Sequence, residues 1–168
     1  EGRLKLPKRT FSKELIEQHS LCAGCPESMA FRYILAALPN PEDTVMVGST
    51  GCTSLVFPHV AIHNIHSLFG NAAAVATGVA AAQRIRGRHD VRVVAQGGDG
   101  GTTDIGFGCL SGMFERNDDV LYICYDNEAY MNTGVQRSSA TPPAARTNTT
   151  MPVGEALGNR FGQGKNVP

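Results

Sequence analysis

Two short apolar runs, separated by a longer mixed stretch, organise the middle of the chain. The first run, VRVVAQ, leads into a turn of glycines and one aspartate at residues 97–101, and the second, VLYICY, ends at Asp126 and Asn127. Between them we expect a helix from about Asp104 to Glu115. A strand, a helix and a strand in this order predict a parallel pair with a right-handed crossover. The pattern therefore indicates an α/β fold with a mostly parallel sheet flanked by helices.

The residues before this unit predict three more helices, a short one among them near the start of the chain, and one more strand. Pro26 is well placed to open a helix, ESMAFRYILAAL, which a short strand, TVMVG, follows. A helix rich in small residues, NAAAVATGVAAAQRIRG, comes next, with Gly87 as its C-cap. Residues 1–20 suggest an extended arm and a short amphipathic helix, and residues 140–168 read mainly as loop. We therefore expect one domain over residues 21–168, preceded by the arm.

Polar side chains follow both central strands at the point where each strand ends. Asp99 comes after the first strand and Asn127 after the second. Because ligands bind at the carboxyl ends of strands in open α/β sheets, we expect a carboxylate and an amide oxygen to converge there. Two hard oxygen ligands suit Mg²⁺, and the surrounding glycines allow the backbone to approach a phosphate closely. The residues thus suggest a diphosphate held through Mg²⁺, with an ordinary glycine-rich turn as the alternative.

Two common phosphate-binding motifs do not match this turn. After Gly98 and Gly100 the third position of a dinucleotide-binding motif is Thr103 instead of glycine. A P-loop is excluded because no Gly-Lys-Ser/Thr sequence follows the glycines. A phosphate at this turn would be bound in a different way.

The composition narrows the class of protein. Lys+Arg and Asp+Glu both number 15, so nothing suggests nucleic acid or a membrane surface as a partner. The charged start is not a signal peptide, and the apolar run Ala72–Ala82 is too short to span a bilayer. Five cysteines, an odd count, argue against a secreted disulfide framework. We expect a soluble, cytoplasmic protein.

The cysteines divide into two groups. Cys22 and Cys25 form a Cys-x-x-Cys pair that follows no strand, which argues against a thioredoxin-like motif and leaves a redox dithiol, half a zinc site or part of an iron–sulfur site. Cys52 supplies a third thiol in the turn GSTGCTS. Cys109 is expected to pack on the helix after the glycine turn, and Cys124 to be a buried, inert thiol within a strand.

Three histidines, His59, His63 and His66, occur close together between residues 57 and 71. They suggest a metal site only if their imidazoles converge. We favour structural or active-site hydrogen bonding for them.

The stretch from Gly-Asp-Gly at 98–100, through the helix and strand to Asn127 and on to Pro142, closely resembles one known family. Its sequence DNEAYMNTGVQRSSATP is similar to that of the β subunit of pyruvate:ferredoxin oxidoreductase and its 2-oxoacid relatives. The resemblance extends from about Cys22 to Pro152. It implies a thiamine-diphosphate-binding fold and identifies the chain as the N-terminal part of a longer subunit.

The resemblance also implies site residues. Asn132 should face the thiazolium ring and the substrate, although turn capping is the structural alternative. The expected Mg²⁺ ligands are Asp99, Asn127 and the carbonyl of Ala129, and the expected cofactor-binding residues are Gly98, Asp99, Gly100, Gly101, Asn127, Ala129, Asn132 and Thr133. The expected ligands of a 4Fe-4S cluster are Cys22, Cys25 and Cys52, with a fourth cysteine beyond Pro168. The family usually has glycine where this chain has Pro26 and an acidic residue where it has Gly70.

The activity that the resemblance implies is oxidative decarboxylation of a 2-oxoacid, with pyruvate favoured. Electrons would pass through the 4Fe-4S cluster to ferredoxin, and coenzyme A would take the acyl group. The partners would be the other subunits, of the α and γ/δ types, one of which normally supplies the glutamate that activates the cofactor. Another 2-oxoacid, such as oxalate or an aromatic one, also fits the sequence. A non-redox thiamine-dependent decarboxylase would need no cluster cysteines, and an iron–sulfur electron carrier would need no Mg²⁺ motif.

Overall fold

A parallel sheet of four strands forms the centre of the computed structural model, which describes residues 18–151 and 164–165. The strands are β1 (Thr44–Ser49), β2 (His63–Ser67), β3 (Arg92–Gly98) and β4 (Leu121–Tyr125). Their spatial order is β2-β1-β3-β4, and every neighbouring pair is parallel. The sequence prediction of an α/β fold with β3 and β4 as parallel neighbours is therefore confirmed.

Helices cover both faces of this sheet. They are α1 (Pro26–Ala37), α2 (Ala72–Ile85) and α3 (Phe107–Glu115), with a π-helix (Gly100–Ile105) directly before α3. Short 3-10 turns lie at Pro41–Asp43, Cys52–Leu55 and Phe57–His59. A small antiparallel ribbon of β5 (Ala129–Tyr130) and β6 (Gln136–Arg137) follows the sheet. Pro26 occupies the first turn of α1, as predicted, because its fixed φ suits that position and its missing N–H is not needed there.

The core has a separate layer on each face of the sheet. Phe31 and Leu35 of α1 pack with Met46 of β1 and Val94 of β3 on one face. On the other face, Ala72 and Ala76 of α2 pack with small and β-branched residues of β1 and β3. The small side chains of α2 thus allow that helix to lie close to the sheet. Leu110 and Met113 of α3 pack on Ala73 of α2.

The helix after the glycine turn begins earlier than predicted and in a different form. The π-helix starts at Gly100, and the amide of Gly106 donates to the carbonyl of Gly101 at 3.0 Å, a five-residue spacing. The hydroxyl of Thr103 also donates to the carbonyl of Asp99 at 2.9 Å. A π-bulge of this kind is frequent at functional sites, and here it directly follows the predicted Mg²⁺ ligand.

Two further features differ from the sequence prediction. The strand β2 was not expected, because HNIHS lacks an apolar face; it lies at an edge, and only Ser67 is buried. Cys124 was predicted to be buried but is exposed, since β4 forms the other edge of the described sheet. An edge strand is covered on fewer sides than a central one, and its apolar pattern does not reveal this.

Part of the predicted organisation lies outside the described residues. This applies to most of the N-terminal arm and its short helix, at residues 1–17, and to residues 152–163 and 166–168 of the C-terminal loop. Within the described ranges, no helix is both long enough and apolar enough to cross a bilayer.

Candidate active site

The ends of β3 and β4 bring Asp99 and Asn127 together. Gly98 pairs with Tyr125, so the two strands leave the sheet at the same edge. The amide end of Asn127 lies 3.0 Å from Asp99 Oδ1 and 2.7 Å from the carbonyl oxygen of Ala129. With nitrogen in that position the amide donates to both oxygens; with oxygen there, three oxygens face one another and need a cation between them. This donor set fits Mg²⁺, which prefers oxygen ligands.

Asp99 is almost completely buried, with 1% of its surface exposed. Its Oδ2 accepts a hydrogen bond from the hydroxyl of Ser138. Burial, and to a smaller extent the nearby Asp126, raise the pKa of Asp99, while the hydrogen bonds from Ser138 and from backbone amides lower it. The balance is a raised pKa, so the ionised carboxylate is stabilised less than it is in water. A bound cation would reverse this balance.

An unusual backbone conformation sets the position of the Ala129 carbonyl. Glu128, between Asn127 and Ala129, has a φ of +66°, in the left-handed region that residues other than glycine seldom adopt. Two contacts hold this turn: the hydroxyl of Thr141 donates to the carbonyl of Glu128, and the amide of Glu128 donates to Asp126 at 2.8 Å. Such conformations cluster at functional sites, where the surrounding structure maintains them.

The glycines after β3 allow an aromatic ring to lie directly on the backbone. A Cβ atom at Gly100 would come within 2.2 Å of the Tyr130 ring, so no other residue fits there without displacing that ring. A Cβ at Gly101 would approach both Phe69 and Ser49 Oγ at 3.3 Å. Gly98, by contrast, has nothing closer than 3.9 Å. The backbone at Gly98 is therefore open toward a ligand.

A cavity of about 210 Å³ lies between these elements. All eight residues predicted to bind the cofactor line it: Gly98, Asp99, Gly100, Gly101, Asn127, Ala129, Asn132 and Thr133. The structure thus brings the predicted residues around one space. Their roles as ligands, and that of Asn132 in catalysis, stay predictions.

Glu27 is a cavity residue that the sequence did not single out. It lies in the first turn of α1, is 8% exposed, and its Oε1 has no hydrogen-bond partner among the described residues. Burial raises the pKa of Glu27, and a hydrogen bond with Thr53 acts in the opposite direction. A buried polar atom without a partner is costly and suits a ligand that donates a hydrogen bond. The only sequence signal was an acidic residue after Pro26.

The predicted cluster ligands border a second cavity, of about 600 Å³. Cys22, Cys25 and Cys52 line it, and all five cysteines of the chain, which lie within the described ranges, are free thiols. Burial, followed by the charges of Glu27, Cys25 and Cys22, raises the pKa of Cys52. In residues 18–151 and 164–165, no three His, Cys, Asp or Glu side chains form a group that could hold a metal ion. The cysteines share a cavity, and ligation of a cluster stays a prediction.

The two cavities share one wall. Both are lined by Glu27, Cys52, Tyr125, Asn127, Met131 and Asn132. The backbone amide of Asn132 acts to lower the pKa of Cys52, against the larger effect of burial. Thus one loop, with Met131 and Asn132, borders both the predicted cofactor space and the cavity of the predicted cluster ligands.

Among the three histidines, His66 has a hydrogen-bonding role of the kind predicted. Its Nε2 lies 3.1 Å from the hydroxyl of Thr50, and the tautomer decides which atom donates. Thr50 lines the 210 Å³ cavity, so His66 supports the turn that carries Cys52. Cys109 packs beside Leu110 and Met113, as expected.

Comparison with known proteins agrees with this geometry. Residues 46–161 match the family described as thiamine pyrophosphate enzyme, C-terminal TPP binding domain. Pyruvate synthase subunit PorB of Methanothermobacter thermautotrophicus is 48% identical over 98% of this chain and 57% of its own length. Ketoisovalerate oxidoreductase subunit VorB of Pyrococcus abyssi is 41% identical over 88% of this chain and 49% of its own length.

A solved structure is similar over nearly the whole chain. It is the 2-oxoglutarate:ferredoxin oxidoreductase of Magnetococcus marinus with 2-oxoglutarate, coenzyme A and succinyl-CoA bound; the TM-score is 0.75 and the identity 28%, over 92% of this chain and 53% of the other. This chain spans about half the length of the relatives it matches. The chain belongs to the thiamine pyrophosphate enzymes and, among them, to the family of pyruvate synthase and 2-oxoacid:ferredoxin oxidoreductase β subunits.

Proposed function

We propose that this chain is the cofactor-binding part of a β subunit whose complete enzyme oxidatively decarboxylates a 2-oxoacid, pyruvate first. The observation that carries the proposal is the convergence of the Asp99 carboxylate, the Asn127 amide and the Ala129 carbonyl at the end of the parallel sheet. This is an oxygen donor set for Mg²⁺, beside a glycine backbone that a diphosphate can approach. Both features lie in one cavity.

Each of the eight predicted cofactor-binding residues has a part in this proposal. Asp99, Asn127 and Ala129 hold Mg²⁺, and the backbone of Gly98, Gly100 and Gly101 lies along the diphosphate. Asn132 and Thr133, on the loop after β5, lie toward the reacting end, where the Asn132 amide orients the substrate. When bound, thiamine diphosphate stabilises the negative charge that remains on the substrate carbon as CO₂ leaves.

The second cavity supports an electron path. Cys22, Cys25 and Cys52 supply three thiolates to a 4Fe-4S cluster, and a cysteine beyond Pro168 supplies the fourth, because such clusters take four. The wall shared by the two cavities supports a short route from cofactor to cluster. Ferredoxin then accepts the electrons and coenzyme A the acyl group.

The proposal includes partner subunits of the α and γ/δ types and a cytoplasmic location. The activating glutamate comes from a partner. Pyruvate is preferred because the relative at 48% identity is named a pyruvate synthase subunit. A branched-chain 2-oxoacid is the second candidate, since a relative at 41% identity is named a ketoisovalerate oxidoreductase subunit.

The test is a set of measurements on the complete complex: thiamine diphosphate content, iron content with visible absorption, and reduction of ferredoxin with a panel of 2-oxoacids. We expect cofactor and iron together, and acceptor reduction that depends on coenzyme A. CO₂ release without acceptor reduction would identify a non-redox decarboxylase. Iron without thiamine diphosphate would identify an electron carrier. Either result would refute the proposal, and the panel would identify the substrate.

A further inference from the structure

Asp104 connects two parts of the candidate site that are far apart in the sequence. It lies in the π-helix, and 19% of its side chain is exposed. Its carboxylate accepts hydrogen bonds from the Tyr130 hydroxyl at 2.7 Å and from the Ser139 amide at 3.0 Å, and another from the Ser139 hydroxyl. The ammonium of Lys165 lies 3.0 Å from the same carboxylate. The side chain of Asp104 thus joins the π-helix to three other segments of the chain, at Tyr130, Ser139 and Lys165.

The contact with Tyr130 fixes the start of the loop at residues 129–139, which carries the predicted cofactor-binding residues Ala129, Asn132 and Thr133. Tyr130 follows Ala129, whose carbonyl is 2.7 Å from the Asn127 amide end. The Tyr130 ring lies against the backbone of Gly100 and 5.9 Å, centre to centre, from the ring of Phe69. With its ring packed and its hydroxyl bound by Asp104, Tyr130 has little freedom. The neighbouring Ala129 carbonyl is therefore held in place.

The contact with Ser139 fixes the other end of the same loop. Ser139 follows Ser138, whose hydroxyl donates to Asp99 Oδ2. The amide of Ser138 also donates to the Thr141 hydroxyl at 3.0 Å. By holding the amide and the hydroxyl of Ser139, Asp104 positions the residue that contacts Asp99. A single carboxylate thus reaches the Ala129 carbonyl through Tyr130, and the Asp99 carboxylate through Ser139 and Ser138.

We propose that Asp104 is a positioning residue that sets the geometry, and so the affinity, of the Mg²⁺ site. The inference rests on the proposed function, because it assumes that Asp99, Asn127 and Ala129 bind the metal. Groups that orient metal ligands from behind commonly change metal affinity about 10–100-fold when they are removed. Charge-assisted hydrogen bonds of the kind made by Asp104 are the stronger class, which suits this task.

Asp118 offers a matched control because it is another partly buried carboxylate that joins separate elements by hydrogen bonds. Its side chain is 17% exposed, and it accepts hydrogen bonds from Thr77 at 2.8 Å and from Arg116 at 3.0 Å. It joins α2 to the turn after α3 and lines neither cavity of the candidate site. Substitution of Asp118 therefore measures how far the loss of any partly buried, hydrogen-bonded carboxylate changes metal affinity through overall stability.

The experiment titrates Mn²⁺, as a probe for Mg²⁺, into the complete complex with thiamine diphosphate present. Free Mn²⁺ is measured by its six-line electron paramagnetic resonance signal at room temperature, and thermal melting of each variant is recorded in parallel. We expect Asp104→Ala to raise the Mn²⁺ concentration at half-saturation about 10–100-fold. Asp104→Asn and Tyr130→Phe should give smaller increases, since each keeps part of the contact. Asp118→Ala should stay within about twofold of wild type.

Each outcome separates the inference from the proposed function. Equal Mn²⁺ affinity for wild type and Asp104→Ala would refute the positioning role while leaving the Mg²⁺ site intact. An equal loss in Asp118→Ala would show a general effect of stability and would also refute it. If wild type itself bound no Mn²⁺ with thiamine diphosphate, the proposed function would fail, and the inference with it. Should Asp104→Ala not fold, Asp104→Asn and Tyr130→Phe decide the question by the same criterion.

Discussion

The carboxylate of Asp99 is almost completely buried, yet the side chains that contact it are neutral. Ser138 and the Asn127 amide end are its polar side-chain neighbours, and burial raises its pKa. Burying a charge costs free energy unless a charge of opposite sign is close to it. Asp99 is therefore better suited to the metal-bound protein than to the metal-free one.

Asp99→Asn should separate binding from stability. We expect calorimetry to show a loss of thiamine diphosphate and Mg²⁺ affinity of about 100-fold or more, because a direct ligand matters at least as much as the groups behind it. Because its pKa is raised in the folded protein, Asp99 destabilises the fold at pH values above its ordinary pKa of 3.8, where it becomes ionised. The metal-free variant should therefore melt a few degrees higher at pH 7, roughly the effect of 1 kcal/mol or more.

The control for this variant is the melting temperature with Mg²⁺ and thiamine diphosphate added, where wild type should gain and Asp99→Asn should not. Unchanged cofactor affinity in the variant would show that Asp99 is not a metal ligand.

Asp104 should show the opposite pH dependence. Burial, the largest single effect, acts to raise its pKa, but the hydrogen bonds from Ser139, Tyr130 and Lys165 outweigh burial and lower the pKa. A lowered pKa contributes stability that is present above the ordinary value of 3.8 and is lost as pH falls through the folded-state pKa. Asp104→Asn should thus be less stable than wild type by about 1–2 kcal/mol at pH 5–7, with the difference shrinking below about pH 4.

Melting curves of wild type and Asp104→Asn from pH 3 to pH 7 test this prediction. A stability difference that stays constant down to pH 3, or grows on acidification, would contradict it.

The turn from β2 into α2 depends on one glycine. Gly70 has a φ of +81°, and a Cβ atom there would lie 2.7 Å from Ile105 Cγ2 and 2.9 Å from the amide nitrogen of Gly106. Its own amide donates to Ser49 Oγ at 2.9 Å, which ties the turn to the end of β1. A residue with a side chain at this position would therefore require this turn, or the π-helix against it, to move.

Gly70→Ala should destabilise the protein by about 1–3 kcal/mol, because the left-handed conformation is strained for alanine and the Cβ has no space. Gly78→Ala is the matched control: this glycine lies in the middle of α2 with open space around a Cβ. Alanine there should stabilise the helix by roughly 0.5–1 kcal/mol. Chemical denaturation of both variants measures the two effects, and a Gly70→Ala variant as stable as wild type would show that the turn is free to rearrange.

At the scale of the whole molecule, the two cavities and their common wall form the candidate functional site. Cys52 lines both, and α1 brings Glu27 to the same wall. Both edges of the described sheet, β2 and β4, are unpaired within residues 18–151 and 164–165. The chain spans about half the length of its relatives.

Cys52→Ala should separate the two proposed cofactors. The proposed Mg²⁺ ligands are other residues, so thiamine diphosphate should stay bound, while visible absorption should bleach and ferredoxin reduction should stop. Cys109→Ala is the control, because Cys109 packs beside α3 residues and lines neither cavity. Iron content and cofactor content, measured on both variants, decide the question; normal iron with normal ferredoxin reduction in Cys52→Ala would exclude Cys52 as a ligand.

The local pattern of residues was sufficient for β1, β3 and β4 of the sheet, though not for β2, and for the position of Asp99 and Asn127. Apolar runs specify buried strands, and parallel neighbours must end at the same edge, so two polar residues that follow such runs converge without further information. Gly87 and Pro26 likewise mark helix ends through their own backbone preferences. The family resemblance then added Ala129, Asn132 and the three cysteines.

Only the tertiary structure placed the side chains that hold the site together. Ser138 contacts Asp99 across 39 positions of sequence, and Ser139 contacts Asp104 across 35. The exposure of Cys124 depends on β4 being an edge strand. Glu27 enters the cavity because α1 packs on one face of the sheet, with Phe31 against Met46 and the Tyr125 ring. Periodicity reports which face of an element is buried, whereas these contacts depend on which elements become neighbours, and long-range packing alone decides that.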